Sequence, residues 1–318
     1  MTHSNTLMIA AAQIAPIWGN RVATLDKILG SVREAAEQGA KLVAFGEALL
    51  PGYPFWLDFT GGAHFNNAAQ KAMHAHYMDQ AVDINGGDLA PLQKLCAAKE
   101  IAVYLGTIER ATDRGGHSLY CSMVYISELG KIGSVHRKLM PTYEERLAWS
   151  IGDGHGLVTH KLGAFTVGGL NCWENWMPLA RAALYGQGEN LHVACWPGSV
   201  RNTEDITRFM AKEGRSFVLS VSGLASLSDF PDATPLLDEF KANAPAQLTN
   251  GGSCLAGPDG SWIIEPIADK EGVFLAEIDH VKVREERQNF DPAGHYSRPD
   301  VTKLTVNRTR QNTVDFID

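Results

Sequence analysis

Short apolar runs alternate with longer amphipathic stretches through most of this 318-residue chain. This rhythm is typical of layered α/β architecture, in which helices cover sheets. Several runs are apolar at every position, so both faces of those strands need a cover of helices or of a second sheet. The predicted strands are Leu7–Ile14, Leu42–Phe45, Ala102–Thr107, Leu119–Ser127, Lys131–His136, Phe165–Leu170, Leu191–Cys195, Phe217–Ser222, Ser253–Ala256, Ser261–Glu265 and Val273–Ile278.

The amphipathic stretches predict helices. In Val22–Gln38, apolar residues recur at steps of three and four and form one stripe that faces a core. Gly39 then ends the helix. The other predicted helices are Asn66–Gln80, Leu89–Lys99, Pro178–Gln187 and Glu204–Arg215.

Composition excludes disordered and fibrous classes, because 45% of the residues are apolar and only 20% are charged. No Ser/Gly linker divides the chain, so we expect one continuous domain over residues 1–318. Lys and Arg number 28 against 36 Asp and Glu, which gives a net charge of −8. This balance disfavours a phosphate-binding surface, so nucleic acid is not an expected partner.

No apolar run approaches the ~18 residues that a membrane helix requires, so we expect no membrane association. A secretory signal begins with a positively charged segment, but no Lys or Arg precedes Arg21 in this chain. The five cysteines show no CxxC or Cys/His metal spacing. These features are typical of a reduced cytoplasmic enzyme without a bound metal.

Cys172 lies where a predicted strand gives way to a helix. Phe165–Leu170 precedes it, and Pro178 suits the first turn of the helix that follows. A turn of this kind exposes a side chain at the carboxyl edge of a sheet, where free backbone N–H groups favour a thiolate. Cys172 is therefore either a nucleophile or a buried cysteine that packs as a small apolar residue.

A thiol nucleophile needs a proton acceptor. His136 lies inside a strand pattern, which favours a packed or solvated role for it. Glu47 follows the apolar strand Leu42–Phe45 and precedes another apolar run, so its carboxyl is poorly solvated and its pKa should be raised. A raised pKa suits a general base that works near neutral pH. The alternative is a structural carboxylate that accepts hydrogen bonds from backbone amides.

Lys138 follows the predicted strand Lys131–His136, so it too projects from the end of a strand. Lysines there are usually solvated. Glu47, Lys138 and Cys172 nevertheless all follow apolar strands, and open α/β sheets place their sites at that edge. We therefore expect the three side chains to meet in one cleft.

Four segments, in order, are FGEALLPGYP around Glu47, HRKLMPTYEER around Lys138, GLNCWENWMPLAR around Cys172, and GHYSRPD at 294–300. Because of these four segments, the chain resembles the nitrilase superfamily, the carbon–nitrogen hydrolases with a Glu-Lys-Cys triad, and specifically its nitrilase branch. The resemblance implies a four-layer αββα sandwich. It also implies homo-oligomers, often spiral, and we expect residues 280–318 to form a C-terminal extension at a subunit interface.

The resemblance implies that Cys172 is the nucleophile, Glu47 the base and Lys138 a stabiliser of charge. It implies a second acid in the lysine loop, Glu145, although Glu144 or Glu145 could instead pair with Arg146. The implied reaction converts a small nitrile to a carboxylic acid and ammonia through a thioimidate and a thioester, without a cofactor. A nitrile- or cyanide-hydrating relative, an amidase or carbamoylase, and a non-catalytic scaffold are the alternatives.

Aromatic residues are dense near these segments and suggest a pocket for an apolar or aryl-bearing substrate. Tyr53, Trp173 and Trp196 are the predicted substrate-binding residues. Large aromatic side chains also pack cores and interfaces, which is the alternative role for each.

Overall fold

The computed structural model describes residues 4–314 and residue 317. Its strands are β1 Thr6–Gln13, β2 Leu42–Phe45, β3 Ala102–Arg110, β4 Leu119–Ile126, β5 Ile132–Arg137, β6 His160–Leu162, β7 Phe165–Asn171, β8 Leu191–Trp196, β9 Phe217–Ser222, β10 Leu224–Ser226, β11 Gln247–Ala256, β12 Trp262–Ala268 and β13 Gly272–Asp279. Its α-helices are α1 Arg21–Glu37, α2 Trp56–Phe59, α3 Ala68–Gln80, α4 Ala90–Lys99, α5 Pro178–Tyr185, α6 Val200–Thr203, α7 Ile206–Gly214, α8 Leu237–Asn243 and α9 His280–Arg287.

The strands form two sheets that share one plan. The first sheet has the order β13-β1-β2-β3-β4-β5, and the second has the order β10-β11-β9-β8-β7-β6 with β12 paired to β11. Parallel pairs lie at the centre of each sheet, β1-β2-β3 in one and β7-β8-β9 in the other. The carboxyl ends of neighbouring parallel strands therefore meet at one edge, which is where such sheets place their sites.

The two sheets stack face to face because their strands are apolar on both sides. In β1, Ala10 and Ala12 belong to a core shared with α1 and α4. Ile9 and Ala11 alternate with them and pack against the second sheet. Helices α5 and α7 cover the outer face of the second sheet. The predicted four-layer αββα sandwich is confirmed.

Helix α1 illustrates how local sequence and packing agree. The side chain of Asn20 caps its first turn by accepting a hydrogen bond from the N–H of Ala23 at 3.1 Å. Ile28 and Val32 of its stripe are fully buried against the first sheet. Burial of one such side chain contributes about 1.5–3 kcal/mol, so packing outweighs the cap in stabilising the helix.

Each predicted strand and helix overlaps an observed one, with shifts of a few residues at most of the ends. The largest extension is in β11, which begins at Gln247 instead of Ser253. The predictions omitted several short elements, namely β6, β10, α2, α6, α8 and α9. Elements this short display little of the period on which such predictions depend.

After α9, residues 288–314 run without α-helix or strand. Arg310 Nη1 lies 3.0 Å from Asp153 Oδ1, and the N–H of Gln311 donates to the other oxygen of that carboxylate at 3.0 Å. This attachment lies within one chain, and the predicted place of the tail at a subunit interface stays a prediction. Across the part of the chain that the structure describes, none of the helices has both the length and the apolar character needed to cross a membrane.

Candidate active site

Glu47 is held at the junction of the two sheets. It follows β2 after Gly46, and its N–H donates to the carbonyl of Trp196 at the end of β8, 3.0 Å away. A Cβ at Gly46 would lie 2.8 Å from the same carbonyl oxygen and 2.8 Å from the N–H nitrogen of Gly223. The two sheets approach this closely only because residue 46 has no side chain.

Lys138 and Glu145 come from one loop after β5. The N–H of Lys138 donates to the carbonyl of Cys121 at 2.7 Å, which continues the pairing of β5 with β4. Thr142 and Glu145 form a capping box around the helical turn Tyr143–Leu147, and the N–H of Thr142 donates to Glu145 Oε2 at 2.6 Å. The cap directs this carboxylate inward, towards Lys138.

Cys172 directly follows β7, and its backbone has a φ of +48°. This left-handed conformation is uncommon for a residue with a side chain and marks a sharp strand-to-helix turn. The following residues, Trp173 to Trp176, continue as a helical turn. The backbone N–H of Trp173 acts to lower the pKa of the Cys172 thiol.

The three strand-end residues converge as expected, together with Glu145. Lys138 Nζ lies 2.7 Å from Glu47 Oε1 and 2.7 Å from Glu145 Oε2, and all three side chains are buried. A carboxylate oxygen of each acid and the Cys172 sulfur lie within 4.8 Å of one another. These donors could hold a cation, and the Lys138 ammonium already supplies positive charge between the two carboxylates.

Burial dominates the titration of the cluster. It raises the pKa of Glu47 to about 7, although the nearby Lys138 ammonium opposes the shift; Glu145 adds to it. Burial and the two carboxylates raise the pKa of the Cys172 thiol well above its usual value, against Lys138 and the N–H of Trp173. Burial lowers the pKa of Lys138, but the surrounding acids outweigh it, and the net shift is upward. The resting cluster therefore holds an ammonium and a neutral thiol.

A cavity of about 780 Å³ opens above this cluster. Cys172 and Glu145 line it, as do the predicted substrate-binding residues Tyr53 and Trp173. Tyr53 also donates its hydroxyl to Glu145 Oε1 at 2.8 Å. The remaining lining residues are Phe55, Asp58, Phe59, Thr142, Glu144, Pro197, Gly198, Ser199, Arg201, Asn202, Pro245, Leu248 and Thr249.

Contrary to the prediction, Trp196 does not line the cavity. Its side chain is fully buried in the core on the outer face of the second sheet, and its indole N–H donates to Ser220 Oγ at 3.2 Å. Trp196 is the last residue of β8, and the strand directs its side chain away from the cleft. The residues that follow it, Pro197 to Ser199, line the cavity instead.

The structure also resolves the alternatives within the lysine loop. Glu145 contacts Lys138, whereas Glu144 lines the cavity and accepts a hydrogen bond from Tyr53 only at 3.4 Å. Arg146 pairs with neither acid in the described residues; its Nε donates to the carbonyl of Pro141. Of the two acids, Glu145 is therefore the one that contacts the lysine.

Three further residues near the cluster were not predicted to have a role. Cys121 Sγ donates to Glu47 Oε1 at 3.2 Å. Glu174 is buried and hydrogen-bonded to His136, which was expected only to pack or to be solvated. The spacing of Asn171 and Glu174 is that of a capping box, so this pattern could have indicated Glu174 from sequence. No local pattern indicates Cys121, because its partner is 74 residues away.

Comparison with known proteins identifies the family. The model of the family described as carbon-nitrogen hydrolase matches residues 8–288. A protein named nitrilase 2 from an unknown prokaryotic organism is 35% identical, over 98% of this chain and 95% of its own. An aliphatic nitrilase from Rhodococcus rhodochrous is 33% identical, over 100% of this chain and 83% of its own.

Among solved structures, a carbon-nitrogen hydrolase from Helicobacter pylori G27 has the same fold, with a TM-score of 0.65 and 19% identity. The match covers 93% of this chain and 96% of that chain. The fold, the buried cluster and the family match all indicate the same family. The chain therefore belongs to the carbon-nitrogen hydrolase family and is a hydrolase that acts on carbon–nitrogen bonds.

Proposed function

We propose that this protein is a nitrilase that hydrolyses a small nitrile to the carboxylic acid and ammonia. Cys172 is the nucleophile, Glu47 the general base, and Lys138 the cation that stabilises charge on the substrate nitrogen. Glu145 orients Lys138. The names of the curated relatives support the substrate class, and the buried cluster supports these roles.

One observation carries the assignment of the base. Glu47 Oε1 is occupied by Lys138 and Cys121, whereas the buried Oε2 has no hydrogen-bond partner among residues 4–314 and 317. A buried carboxylate oxygen without a donor is costly in a merely structural acid. Because the carboxylate lies beside the Cys172 sulfur, Oε2 is the atom suited to take the thiol proton.

In the first half of the reaction, the sulfur forms a bond to the nitrile carbon. The thiol proton passes to Glu47 and then to the nitrile nitrogen, which gives the covalent thioimidate. Negative charge develops on that nitrogen during the attack. The Lys138 ammonium and the main-chain N–H of Trp173 stabilise it in a buried site, where such interactions are stronger than in water.

In the second half, Glu47 removes a proton from water as the water oxygen adds to the thioimidate carbon. The water proton passes through Glu47 to the nitrogen. The hydroxyl proton of the resulting intermediate follows it as the carbon–nitrogen bond breaks, so ammonia leaves and a thioester remains. A second water, activated in the same way, releases the acid and restores the thiol. If the carbon–sulfur bond breaks before the carbon–nitrogen bond, the product is instead the amide.

The cavity favours a nitrile with an apolar or aryl side chain. Tyr53, Phe55, Phe59 and Trp173 line it, and its volume of about 780 Å³ exceeds what the smallest aliphatic nitriles would fill. Aromatic walls with a few polar groups are typical of sites for such ligands.

Replacement of the nucleophile tests the proposal. Cys172→Ala should abolish release of ammonia and acid from aliphatic, aryl and arylacetic nitriles, while its thermal unfolding stays close to that of the wild type. Cys254→Ala is the matched control, because Cys254 is also buried but its sulfur donates to Thr207 Oγ1, outside the cluster. Unchanged turnover by Cys172→Ala, or a wild type that hydrolyses amides but no nitriles, would contradict the proposal.

Homo-oligomerisation and a cytoplasmic location remain predictions. Trp176, which precedes α5, and Leu179, in its first turn, have exposed fractions of 50% and 67% in the single chain. Sedimentation of the purified protein would measure the subunit number.

A further inference from the structure

Glu174 connects the two loops that carry the reactive residues. It lies two residues after Cys172, and its carboxylate is fully buried. Oε2 accepts from the N–H of Asn171, which directly precedes Cys172, at 2.8 Å. Oε1 accepts from the N–H of Leu139, which directly follows Lys138. One carboxylate thus binds the main chain next to the nucleophile and next to the lysine.

His136 completes the set of partners. Its Nε2 lies 3.0 Å from Glu174 Oε2 and 3.1 Å from Oε1, and the imidazole is also buried. His136 belongs to β5, two residues before Lys138, whereas Glu174 follows β7. The contact therefore joins the ends of strands in opposite sheets.

Local helix capping explains only part of this arrangement. A capping box accounts for the bond from Glu174 to the N–H of Asn171, which is local in sequence. It does not account for the bonds to Leu139 and His136, which are 35 and 38 residues away. A buried charge is costly unless it is paired and hydrogen-bonded. Burial raises the pKa of Glu174, but His136 and the two N–H donors outweigh it, so the net shift is downward and the side chain stays ionised.

We infer that Glu174 is a positioning residue that holds Lys138 in reach of the substrate nitrogen while Cys172 attacks the adjoining carbon. This inference rests on the proposed roles of those two residues. The Glu174 side chain does not line the cavity, so we expect it to act without contact to a substrate bound there. It acts by fixing the separation of two loops, and a misplacement of about 1 Å can cost about 10²-fold in rate.

Two substitutions test the positioning role of Glu174. Glu174→Gln keeps the size of the side chain but leaves one acceptor oxygen for two main-chain N–H groups, so one of them faces an amide N–H. Glu174→Asp keeps the charge, but the shorter side chain cannot reach both loops. We expect each variant to lower kcat at least tenfold while KM changes less than threefold.

Alkylation of Cys172 by iodoacetamide, followed by peptide mass spectrometry, is the second measurement. We expect its rate to fall at least fivefold in both variants, at a temperature well below unfolding. If Glu174→Gln does not fold, Glu174→Asp decides the result. Alkylation and kcat at wild-type values in a folded variant would overturn the inference.

Gln13→Leu is the matched control for lost buried hydrogen bonds. Gln13 is fully buried, and its side chain bonds the main chain at Ser253, Ile267 and Lys270, without contact to the cluster. We expect this variant to unfold at a lower temperature but to keep its alkylation rate within twofold. If it slows alkylation as much as Glu174→Gln does, destabilisation explains the loss and the inference fails.

Alkylation requires no nitrile, so the two proposals fail separately. A wild type that is alkylated at Cys172 but hydrolyses no nitrile refutes the nitrilase proposal and leaves the alkylation test of Glu174 intact. Active Glu174 variants refute the positioning role alone.

Discussion

Replacement of Glu47 by Gln is expected to abolish hydrolysis and to stabilise the protein above pH 7. Burial holds the pKa of Glu47 at about 7, against an ordinary value of 4.5. The glutamine cannot accept the thiol proton, which removes activity. It does retain an oxygen that accepts hydrogen bonds from Lys138 and Cys121 in the way Glu47 Oε1 does.

The size of the effect follows from proton linkage. Between pH 4.5 and 7, unfolded Glu47 has released its proton while folded Glu47 retains it, so the stability of the wild type falls as pH rises. One pKa unit corresponds to about 1.4 kcal/mol, so the fall is about 3 kcal/mol and is complete above pH 7. Glu47→Gln has no such proton and no such fall.

Thermal or denaturant unfolding of both proteins between pH 4.5 and 8.5 measures this difference. We expect Glu47→Gln to be more stable by about 3 kcal/mol at pH 8, and the difference to vanish towards pH 4.5. For 318 residues, this is a rise of roughly 5 °C in Tm, from an unfolding entropy of about 2 cal/mol/K per residue. A variant less stable than the wild type at pH 8, or a gain that does not change with pH, would refute the reasoning.

Four further predictions concern the same network and the tail. Because Glu47 must be ionised to act as a base, kcat/KM should rise about tenfold per pH unit up to about pH 7; a flat profile from pH 5.5 to 8 would contradict this. Cys121→Ala removes a thiol donor that lowers the pKa of Glu47, so the acidic limb should move to higher pH, whereas Cys121→Ser should keep it close to the wild-type position. Lys138→Met leaves two buried acids without their cation. We expect kcat/KM to fall at least about 10²-fold, and the free energy of unfolding at pH 8 to fall by about 3–5 kcal/mol. Wild-type kinetics in that variant would exclude a role for the lysine. Arg310→Ala removes the tail's ion pair with Asp153, which is worth about 1 kcal/mol or less; limited proteolysis should cleave the tail faster, and gel filtration would show whether subunit association changes.

Much of the site was predictable because its reactive residues follow the ends of strands. Glu47 and Cys172 follow strands in the parallel centre of each sheet, and the carboxyl edge of a sheet collects the residues that follow such strands. Lys138 follows β5, which runs in the same direction as β3 because β4 pairs antiparallel with both. The strand bounds of β2 and β9 agree with the prediction at every residue. Buried strands carry a strong local signal, since nearly every position is apolar.

The prediction for Trp196 failed for a geometric reason. Sequence places this residue at the end of a strand near the site, but successive side chains of a strand point to opposite faces. Which face is the cleft depends on how the sheet packs. The burial of Trp196 against α7 is therefore visible only in three dimensions.

The sequence pattern by itself predicted the α/β layers, most of the strands, and the three residues Glu47, Lys138 and Cys172 that follow strands. Each of these patterns lies within a few neighbouring residues. Tertiary structure alone decided that Cys121 contacts Glu47 and that Glu174 joins two loops 35 residues apart. Hydrogen bonds and ion pairs act over about 3 Å. Partners far apart in the chain meet at that distance only after the two sheets have packed.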